Sequence, residues 1–283
     1  HSFPTRRSSD LRWKAVCRKI ECVTNEVAWD GEWYIRAFRD DGEPLGSHRH
    51  EQGKIFINSQ TWAVISGLAS RERAEKCLAS VKKYLLRPNG VQICWPSYTK
   101  VEDQIGLISR CVPGKKENGA IFNHASSWFV LASILHGDVD LAFDVYMRMN
   151  PINSSERIDR YEVEPYVYAE YVTSPDHPTE GQASHSWLTG TAVWMLRIGL
   201  DYILGFKTSL AGITLSPHIP SHWKEFRASR RVRGKSIDLY VRNPKGKNSE
   251  IESIWIDGKP VRSNFIEISR FPEKTIAIEL LLG

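Results

Sequence analysis

The spacing of the apolar residues changes near Leu210, and this change is the strongest constraint on the fold. Upstream of Leu210, apolar residues recur with the period of an α-helix that buries one face. Downstream, they alternate in short runs separated by turn residues such as Asn-Pro-Lys-Gly and Asp-Gly, which is typical of strands joined by tight turns. The sequence therefore predicts a mainly helical region followed by a small antiparallel β unit.

Capping and turn residues divide the helical region into segments. Ser70 is placed to cap one helix, and Gly137 is placed to stop a second helix that is almost wholly apolar. Asp138 is placed to cap the partner of that apolar helix. Residues 184–205 are predicted to form one long apolar helix.

Long polar segments lie between these helices, at residues 30–59, 88–123 and 150–183. Loops of this length inside a compact domain are usually functional. Because short and long connections alternate, the sequence predicts a toroid of paired helices whose long loops share one rim. We expect the binding site on that rim.

Composition and charge argue against several classes of function. The 283 residues carry a net charge of +5, and the densest basic stretch is residues 227–235. We interpret that stretch as an exposed strand, because no nucleic-acid motif or interleaved aromatic residues accompany it. No apolar run reaches the length of a membrane span, and phosphate-loop, dinucleotide and nucleophile-elbow motifs are absent. We expect neither nucleic acid nor a membrane as a partner.

The cysteine and histidine patterns do not indicate a metal site. The five cysteines are odd in number and have no metal or redox spacing, which suits free thiols in the reducing cytoplasm. His48, His50 and Glu51 stand close together, but no further ligand follows at a recognisable spacing, so we interpret them as loop residues. We expect no metal and no organic cofactor.

The first eleven residues do not resemble part of a folded domain. Residues 1–11 lack the apolar core of a signal peptide. They resemble the peptide that is encoded by read-through of sequencing-adapter DNA. We therefore expect residues 1–11 to be non-native and the natural protein to extend further upstream.

Two segments carry residues that suit an anion and a sugar. Thr189 and Gly190 offer a hydroxyl and backbone N–H groups, and His124, at a predicted helix start, offers a ring N–H to the same anion. Lys116 and Glu117 suit sugar hydroxyls, which need both donors and acceptors. Alternatives stay open, since Thr189 and Gly190 also suit close helix packing and His124 also suits a cap or a core position.

Five motifs in a fixed order carry a resemblance to a known family. They read WDGEWYIRAFRDDGEPLGS, GKIFINSQTWAVISG, PGKKENGAIFNHASSW, EPYVYAEY and SWLTGTAVWM. Over residues 25–230 the chain resembles the inverting glycoside phosphorylases related to cellobiose and chitobiose phosphorylase. The resemblance implies the second half of an (α/α)6 barrel over residues 12–209, and a small antiparallel β-sandwich or jelly-roll-like domain over residues 210–283.

The resemblance also implies a reaction. Members of that family cleave a β-linked disaccharide with inorganic phosphate as co-substrate, invert the anomeric centre and release an α-sugar-1-phosphate without a cofactor. One aspartate acts as general acid, and the motif that carries it lies upstream of the segments matched here. We therefore expect a C-terminal fragment that is inactive alone. The resemblance further implies disaccharide and phosphate as partners and a homodimer for the full-length protein.

Site roles follow from the same resemblance, residue by residue. His124, Thr189 and Gly190 match phosphate-binding positions of the family. Lys116 and Glu117 match residues that hydrogen-bond the departing, acceptor-side sugar.

Two further positions depart from the pattern of cellobiose-active relatives. Cys111 stands where those relatives carry a tyrosine, and Glu170 where they tend to carry a glutamine. Both positions face the acceptor in the family, so we expect a changed acceptor. Chitobiose, laminaribiose, a β-1,2-glucan and a disaccharide ending in an aldonic acid stay open.

Two alternative functions remain at this point. A related inverting hydrolase on an (α/α)6 scaffold would need a second carboxylate to activate water, and Glu162, Glu164 or Glu170 could supply it. The chain could also be the terminal domain of a glucan synthase, or a sugar-binding module without catalytic activity.

Overall fold

The structure, a computed structural model, describes residues 6–283 of the chain. Part of the segment that we expect to be non-native, residues 1–5, therefore lies outside the described residues. The helices are α1 (Arg6–Val27), α2 (Ile57–Ile65), α3 (Arg71–Tyr84), α4 (Leu107–Arg110), α5 (Asn123–His136), α6 (Val139–Met149), α7 (Pro151–Ser154), α8 (Ile158–Tyr161) and α9 (Thr191–Arg197). None of these helices is long and apolar enough to cross a membrane.

Small antiparallel sheets connect the helices. Their strands are β1 (Ala37–Phe38), β2 (Pro44–Leu45), β3 (Ile55–Phe56), β4 (Leu86–Arg87), β5 (Gly90–Val91), β6 (Cys94–Trp95), β7 (Ile121–Phe122), β8 (Ala169–Val172) and β9 (Ala183–Ser186). Strand β1 pairs with β2, β3 with β6, and β4 with β5, while β7, β8 and β9 form one sheet in that order. The long loops are thus tied down by short strands rather than left irregular.

Helix α5 forms the centre of the helical region. It packs against α2, α3, α6 and α9, and Phe129, Val130, Leu131 and Ile134 are all buried. Because its neighbours surround it, an almost wholly apolar sequence is stable there. The helix ends as predicted at Gly137, which adopts a left-handed conformation and donates its N–H to the Ser133 carbonyl at 3.0 Å.

Of the two predicted helix caps, Ser70 and Asp138, only Ser70 forms a side-chain capping hydrogen bond. The Ser70 side chain caps α3 by accepting from the Arg73 N–H at 3.3 Å, so that prediction is confirmed. Asp138 occupies the capping position of α6, but its side chain accepts no capping hydrogen bond. Instead, the Asp138 N–H bonds the Ser133 carbonyl at 2.9 Å, and this bond completes the end of α5.

The prediction of one helix over residues 184–205 is wrong. Residues 183–186 form β9, and α9 begins only at Thr191 and continues as a π-helical turn over Ile198–Ile203. His185 and Trp187 adopt left-handed backbone conformations, with φ values of 56° and 67°. A helix cannot run through such residues, so the apolar pattern here belongs to a strand, a turn and a shorter helix.

The C-terminal region consists of two sheets around one core. The strands are β10 (Phe206–Thr208), β11 (Ile213–Leu215), β12 (Glu225–Val232), β13 (Lys235–Arg242), β14 (Ile251–Ile256), β15 (Lys259–Val261), β16 (Phe265–Ile266) and β17 (Thr275–Leu282). One sheet has the order β10-β11-β16 and the other the order β12-β13-β17-β14-β15. Apolar residues of both sheets form one core that is separate from the core around α5.

The prediction of a purely antiparallel β unit is wrong in one pair of strands. Strand β13 runs parallel to β17, with Leu239 opposite Ile278, whereas β14 runs antiparallel to β17. The two orientations share the same alternation of buried and exposed residues, so the sequence pattern does not distinguish them. The arrangement is a two-sheet sandwich with one mixed sheet.

The basic stretch at residues 227–235 lies on and after β12, as the exposed-strand interpretation predicts. Several of its side chains have contacts within the chain. The Arg227 guanidinium lies 4.5 Å from the centre of the Tyr240 ring, and Arg230 donates to the Phe206 carbonyl at 2.7 Å. At least two of these guanidinium groups are therefore engaged by other residues of the chain.

Helix α1 presents an apolar stripe to the outside. The stripe consists of residues with helical spacing that are each at least 39% exposed: Trp13, Val16, Ile20, Val23 and Val27. Its last turns are fixed to the helical region through Asn25, whose side chain accepts from Tyr34 Oη at 2.5 Å and from Arg73 Nη1 at 2.8 Å. Contiguous exposed apolar residues of this kind are typical of a surface that associates with another.

We predict that this stripe causes the 283-residue chain to self-associate. The double change Ile20→Glu and Val23→Lys, which leaves the net charge unaltered, should increase the monomer fraction in sedimentation velocity. Lys19 is an exposed residue of α1 outside the stripe. Lys19→Gln is therefore the matched control and should leave the monomer fraction unchanged. A wild-type chain that sediments as a monomer at tens of micromolar would contradict the prediction.

Candidate active site

The sheet β7-β8-β9 brings three distant segments of the chain together. Phe122 of β7 is paired with Tyr171 of β8, and Ala169 of β8 is paired with Ser186 of β9. Just after β7, the Asn123 side chain donates to the Ala169 carbonyl at 2.8 Å and is buried. The first turn of α5, the central strand β8 and the turn that follows β9 therefore share one end of the helical region.

His124 and Gly190 are in direct contact at this end. A Cβ atom built on Gly190 would lie 3.0 Å from His124 Cε1, and the three atoms nearest to it all belong to the His124 ring. Gly190 has a φ of −83°, which any residue can adopt. The glycine is thus needed for close approach rather than for backbone conformation. The structure brings together these two residues, which are far apart in the sequence.

Thr189 lies beside this contact and organises the start of α9. Its Oγ1 accepts from the Thr191 N–H at 3.2 Å and lies 2.6 Å from the Thr191 hydroxyl. A hydroxyl has one proton and two acceptor positions, so one part of the Thr189 hydroxyl is used by the helix start. Close packing and anion binding, the two alternatives for Thr189 and Gly190, are compatible in this geometry.

Two tryptophans contact the His124 ring, and a third packs against those two. The His124 ring centre lies 4.9 Å from that of Trp128 and 6.2 Å from that of Trp194, and Trp62 lies 5.5 Å from Trp128. We call these four residues the His124 cluster. Trp128 follows His124 by one helical turn of α5, so the helix itself sets that pair. These tryptophans were not predicted as site residues from the sequence, although the four-residue spacing of His124 and Trp128 was a usable signal.

Two nitrogen atoms of the cluster are buried without a partner. His124 Nε2 and Trp128 Nε1 have no hydrogen bond to any residue that the structure describes. Buried polar atoms in proteins nearly always have a partner, and an indole N–H can only donate. The cluster therefore offers hydrogen-bonding capacity that the described residues do not use.

Burial determines the charge of His124. It lowers the pKa of the imidazole below its ordinary value of 6.5. Near neutral pH the ring is therefore uncharged, with one nitrogen as a donor and the other as an acceptor. A group of this kind holds an anion by hydrogen bonding and becomes a cation only when the anion stabilises its proton.

The charged turn that contains Lys116 and Glu117 is anchored by a buried amide. The Asn118 side chain donates to the carbonyls of Tyr98 at 2.8 Å and Cys111 at 2.7 Å, and accepts from the Tyr98 N–H at 2.7 Å. Lys116 has a φ of 48°, and both it and Glu117 are exposed. The fixed turn thus presents an ammonium and a carboxylate side by side to solvent.

Cys111 lies within the electrostatic reach of that turn. Its thiol pKa is raised chiefly by burial and further by the Glu117 carboxylate, while the Lys116 ammonium acts in the opposite direction. Cys111, Lys116 and Glu117, which the resemblance assigned to the acceptor side, are therefore neighbours in the structure. The same residues carry one donor, one acceptor and a small neutral side chain.

Glu170 lies on β8, directly after Ala169, whose carbonyl accepts from the Asn123 side chain. Its Oε2 is buried without a hydrogen bond in the described part of the chain, and His185 Nδ1 on β9 lies 3.4 Å away. That separation fits an ion pair when the imidazole is protonated, but it is too long for a good hydrogen bond. The sequence analysis did not assign His185, whose left-handed backbone conformation turns the end of β9.

The other two glutamates of the EVEPYVYAEYV segment have ordinary surface contacts. Glu162 accepts from the Gln182 amide at 2.6 Å, and Glu164 accepts from Trp187 Nε1 at 3.1 Å. Glu162 is exposed and Glu164 is partly exposed. Of the three glutamates, only Glu170 has a buried oxygen that is free to receive a ligand donor.

Comparison of the sequence with known proteins identifies the family of the chain. The model of the glycosyl hydrolase 94 superfamily, catalytic domain, matches residues 6–205. The N,N′-diacetylchitobiose phosphorylase of Vibrio furnissii is 35% identical over 252 residues, which are 88% of this chain and 32% of that protein. The solabiose phosphorylase of Paenibacillus borealis is 36% identical over 250 residues, 88% of this chain and 33% of that protein.

A more distant match is a larger enzyme. The cyclic β-(1,2)-glucan synthase of Rhizobium meliloti is 29% identical over 234 residues, 81% of this chain but 8% of that protein. This chain thus spans about a third of the length of the two phosphorylases and a small part of the synthase. By the family model, which covers most of its length, the chain belongs to the catalytic-domain family of glycosyl hydrolase 94.

Proposed function

We propose that this chain forms the phosphate-binding and acceptor-binding part of an inverting disaccharide phosphorylase. The observation that carries the proposal is the contact of His124 with Gly190, next to ring nitrogens that have no protein partner. A phosphate ion has several strong acceptor oxygens and needs such donors. The two similar phosphorylases support the assignment through family membership.

In this proposal the general acid comes from outside the chain. The similar phosphorylases are about three times as long as the matched region, and the motif of the acid aspartate is upstream in the family. We accordingly propose residues 12–209 as a partial (α/α)6 barrel, residues 210–283 as the β domain and residues 1–11 as non-native. One finding bears on the boundary: β10 starts at Phe206 and pairs with β11, so the β core begins slightly before residue 210.

The site residues have separate roles in the proposed reaction. Phosphate attacks the anomeric carbon directly, so the protein needs no carboxylate base to activate water. Neutral His124, the Thr189 hydroxyl and the Gly190 backbone would hold the attacking ion by hydrogen bonds, which cost little reorganisation because the α5 and α9 starts are fixed. Protonation of the departing oxygen is left to the upstream acid.

On the acceptor side, the exposed pair Lys116 and Glu117 would bind sugar hydroxyls. Cys111 in place of a ring removes a stacking surface, and the Glu170 carboxylate accepts hydrogen bonds but cannot donate them. We propose an acceptor that offers hydroxyl or amide N–H donors towards Glu170. Cytoplasmic location and a homodimeric full-length protein remain parts of the proposal.

The hydrolase alternative has less support from the geometry. It requires a carboxylate positioned as base across the cleft. Glu162 and Glu164 have surface contacts instead, so Glu170, with its buried unbonded oxygen, is the one candidate base of the three that the geometry leaves. The synthase alternative rests on the match to the glucan synthase, which shares this region as a small part of its length. A glycosyltransferase region upstream would favour it.

We predict that phosphate raises the pKa of His124. Without phosphate, the imidazole NMR signals of His124 should titrate with a midpoint below 6.5, since burial lowers its pKa. Bound phosphate should move the midpoint upward, because a nearby anion favours the protonated ring. His177 is the internal control, because burial also lowers its pKa and it contacts other residues. A His124 titration midpoint that stays the same at saturating phosphate would contradict the assignment of His124 to a phosphate site.

We also predict that Gly190→Ala weakens phosphate binding about tenfold without unfolding the chain. The added methyl group would press on the His124 ring and displace it, and a tenfold change corresponds to about 1.4 kcal/mol. Titration followed by ³¹P NMR gives the affinity, and thermal melting gives the stability. Gly199→Ala, in the same helical segment but against Tyr146, should leave the phosphate affinity unchanged. Equal affinities for wild type and Gly190→Ala would count against the site.

The natural protein that contains this chain should require phosphate for turnover. We expect disaccharide cleavage with phosphate, an α-sugar-1-phosphate in the ¹H NMR spectrum, and no cleavage by the 283-residue chain alone. Release of free sugars in phosphate-free buffer would instead identify a hydrolase. His124→Asn in the natural protein should lower kcat/KM for phosphate, roughly a hundredfold, as removal of a preorganised donor does.

A further inference from the structure

A second cavity lies apart from the His124 cluster. It has a volume of about 500 Å³ and shares no lining residue with that cluster. Its lining includes Asp30, Glu32, His48, Lys54, Tyr84 and Trp95. Two motifs that the proposed reaction does not use, WDGEW and SHRHE, meet here.

One wall of the cavity is aromatic. Trp95 is stacked on Tyr84, with ring centres 5.7 Å apart and planes 18° apart. Tyr84 is held in turn by the edge of Trp33 at 5.7 Å and by the Lys83 ammonium at 4.7 Å. Trp95 itself lines the cavity and is partly exposed, and the Tyr84 stack supports its ring from one side.

The Asp30–His48 pair forms a fixed polar wall. Asp30 accepts from the His48 N–H at 2.7 Å, and its Oδ2 lies 2.7 Å from His48 Nδ1, while Ser47 Oγ lies 3.2 Å from its other oxygen. The Asp30 side chain is only 10% exposed, whereas His48 is 57% exposed. Because Asp30 holds one ring nitrogen, the other nitrogen, Nε2, is free to meet a ligand.

Two further charged groups reach the cavity unpaired. Glu32 and Lys54 line it, and neither charged group forms a hydrogen bond or an ion pair within 4.0 Å in the described part of the chain, although the Glu32 carboxylate is near enough to the Lys83 ammonium to raise the pKa of that lysine. The lining thus carries an acceptor, a donor and an imidazole nitrogen next to an aromatic face. With both signs of charge present, the cavity suits neither a phosphate nor a simple cation.

We propose that this cavity binds one pyranose unit of a neutral oligosaccharide. The apolar face of the sugar would stack on Trp95, and its hydroxyls, which both donate and accept, would bond Glu32, Lys54 and His48 Nε2. Because the residues differ from those of the His124 cluster, the site is a second sugar site and does not depend on the proposed phosphorylase activity.

The test measures trisaccharide binding to the 283-residue chain. Cellotriose and N,N′,N″-triacetylchitotriose are the probes, and saturation-transfer NMR titrations give the dissociation constants. At least one probe should bind. Trp95→Ala should weaken that binding about tenfold, and His48→Ala about threefold, in line with one stacking contact and one hydrogen bond. Arg49→Ala, an exposed neighbour outside the cavity, is the matched control and should bind as wild type does.

Three outcomes would overturn the proposal. They are no binding of either trisaccharide to the wild-type chain, equal binding by folded wild type and His48→Ala, and loss of binding in His124→Ala, which would place the sugar in the other site. Since Trp95 pairs with Ile55 between β3 and β6, its variant is checked by circular dichroism. If that variant does not fold, Glu32→Gln and His48→Ala decide, because both side chains are exposed. Phosphate titration of the same samples tests the His124 site separately.

Discussion

The contact of the His124 ring with the bare backbone of Gly190 is the constraint on which the candidate site depends. It requires the start of α5 and the start of α9 to approach more closely than side chains normally allow. Two features hold them there: the sheet β7-β8-β9, which aligns the chain before each helix, and the burial of α5 among its neighbours. Because α5 is apolar on nearly every side, it cannot rotate without exposing core residues, so the position of His124 is set by the hydrophobic core.

Buried contacts also fix the charged turn before α5, which carries Lys116 and Glu117. A lysine and a glutamate next to a helix start would be mobile if only solvent held them. Here the Asn118 amide, fully buried and bonded to backbone on two sides of the loop, fixes the turn. A Cβ on the following residue, Gly119, would lie within 1.9 Å of Ser97 Oγ, so the chain is held close to its neighbour. Polar groups on such a rigid support can bind a ligand with little loss of conformational entropy.

Helix periodicity, the Ser70 cap and the Gly137 stop were readable from the sequence because each depends on residues close in the chain. The segment 184–190 was not, since its apolar residues suit a buried helix as well as a strand, and the pairing of β9 with β8 decides between them. The parallel pairing of β13 with β17 was equally hidden, because strand order is a tertiary property. The candidate site residues were put forward from their chemistry and given roles by the family resemblance, whereas Trp62, Trp128, Trp194 and His185 became visible only as spatial neighbours.

One of the contacts that join the β region to the helices is a buried carboxylate in the segment that starts at the candidate site. Asp201, in the π-helical turn that continues α9, is 6% exposed and pairs with Arg197 and with Arg230 of β12. Arg230 also donates to the carbonyl of Phe206, the first residue of β10. A buried carboxylate that lost either arginine would be poorly compensated, and such losses are strongly destabilising. The basic β12 strand therefore braces the helix whose first turn holds Gly190 against His124, which gives the β region a part in forming the site although none of its residues lies there.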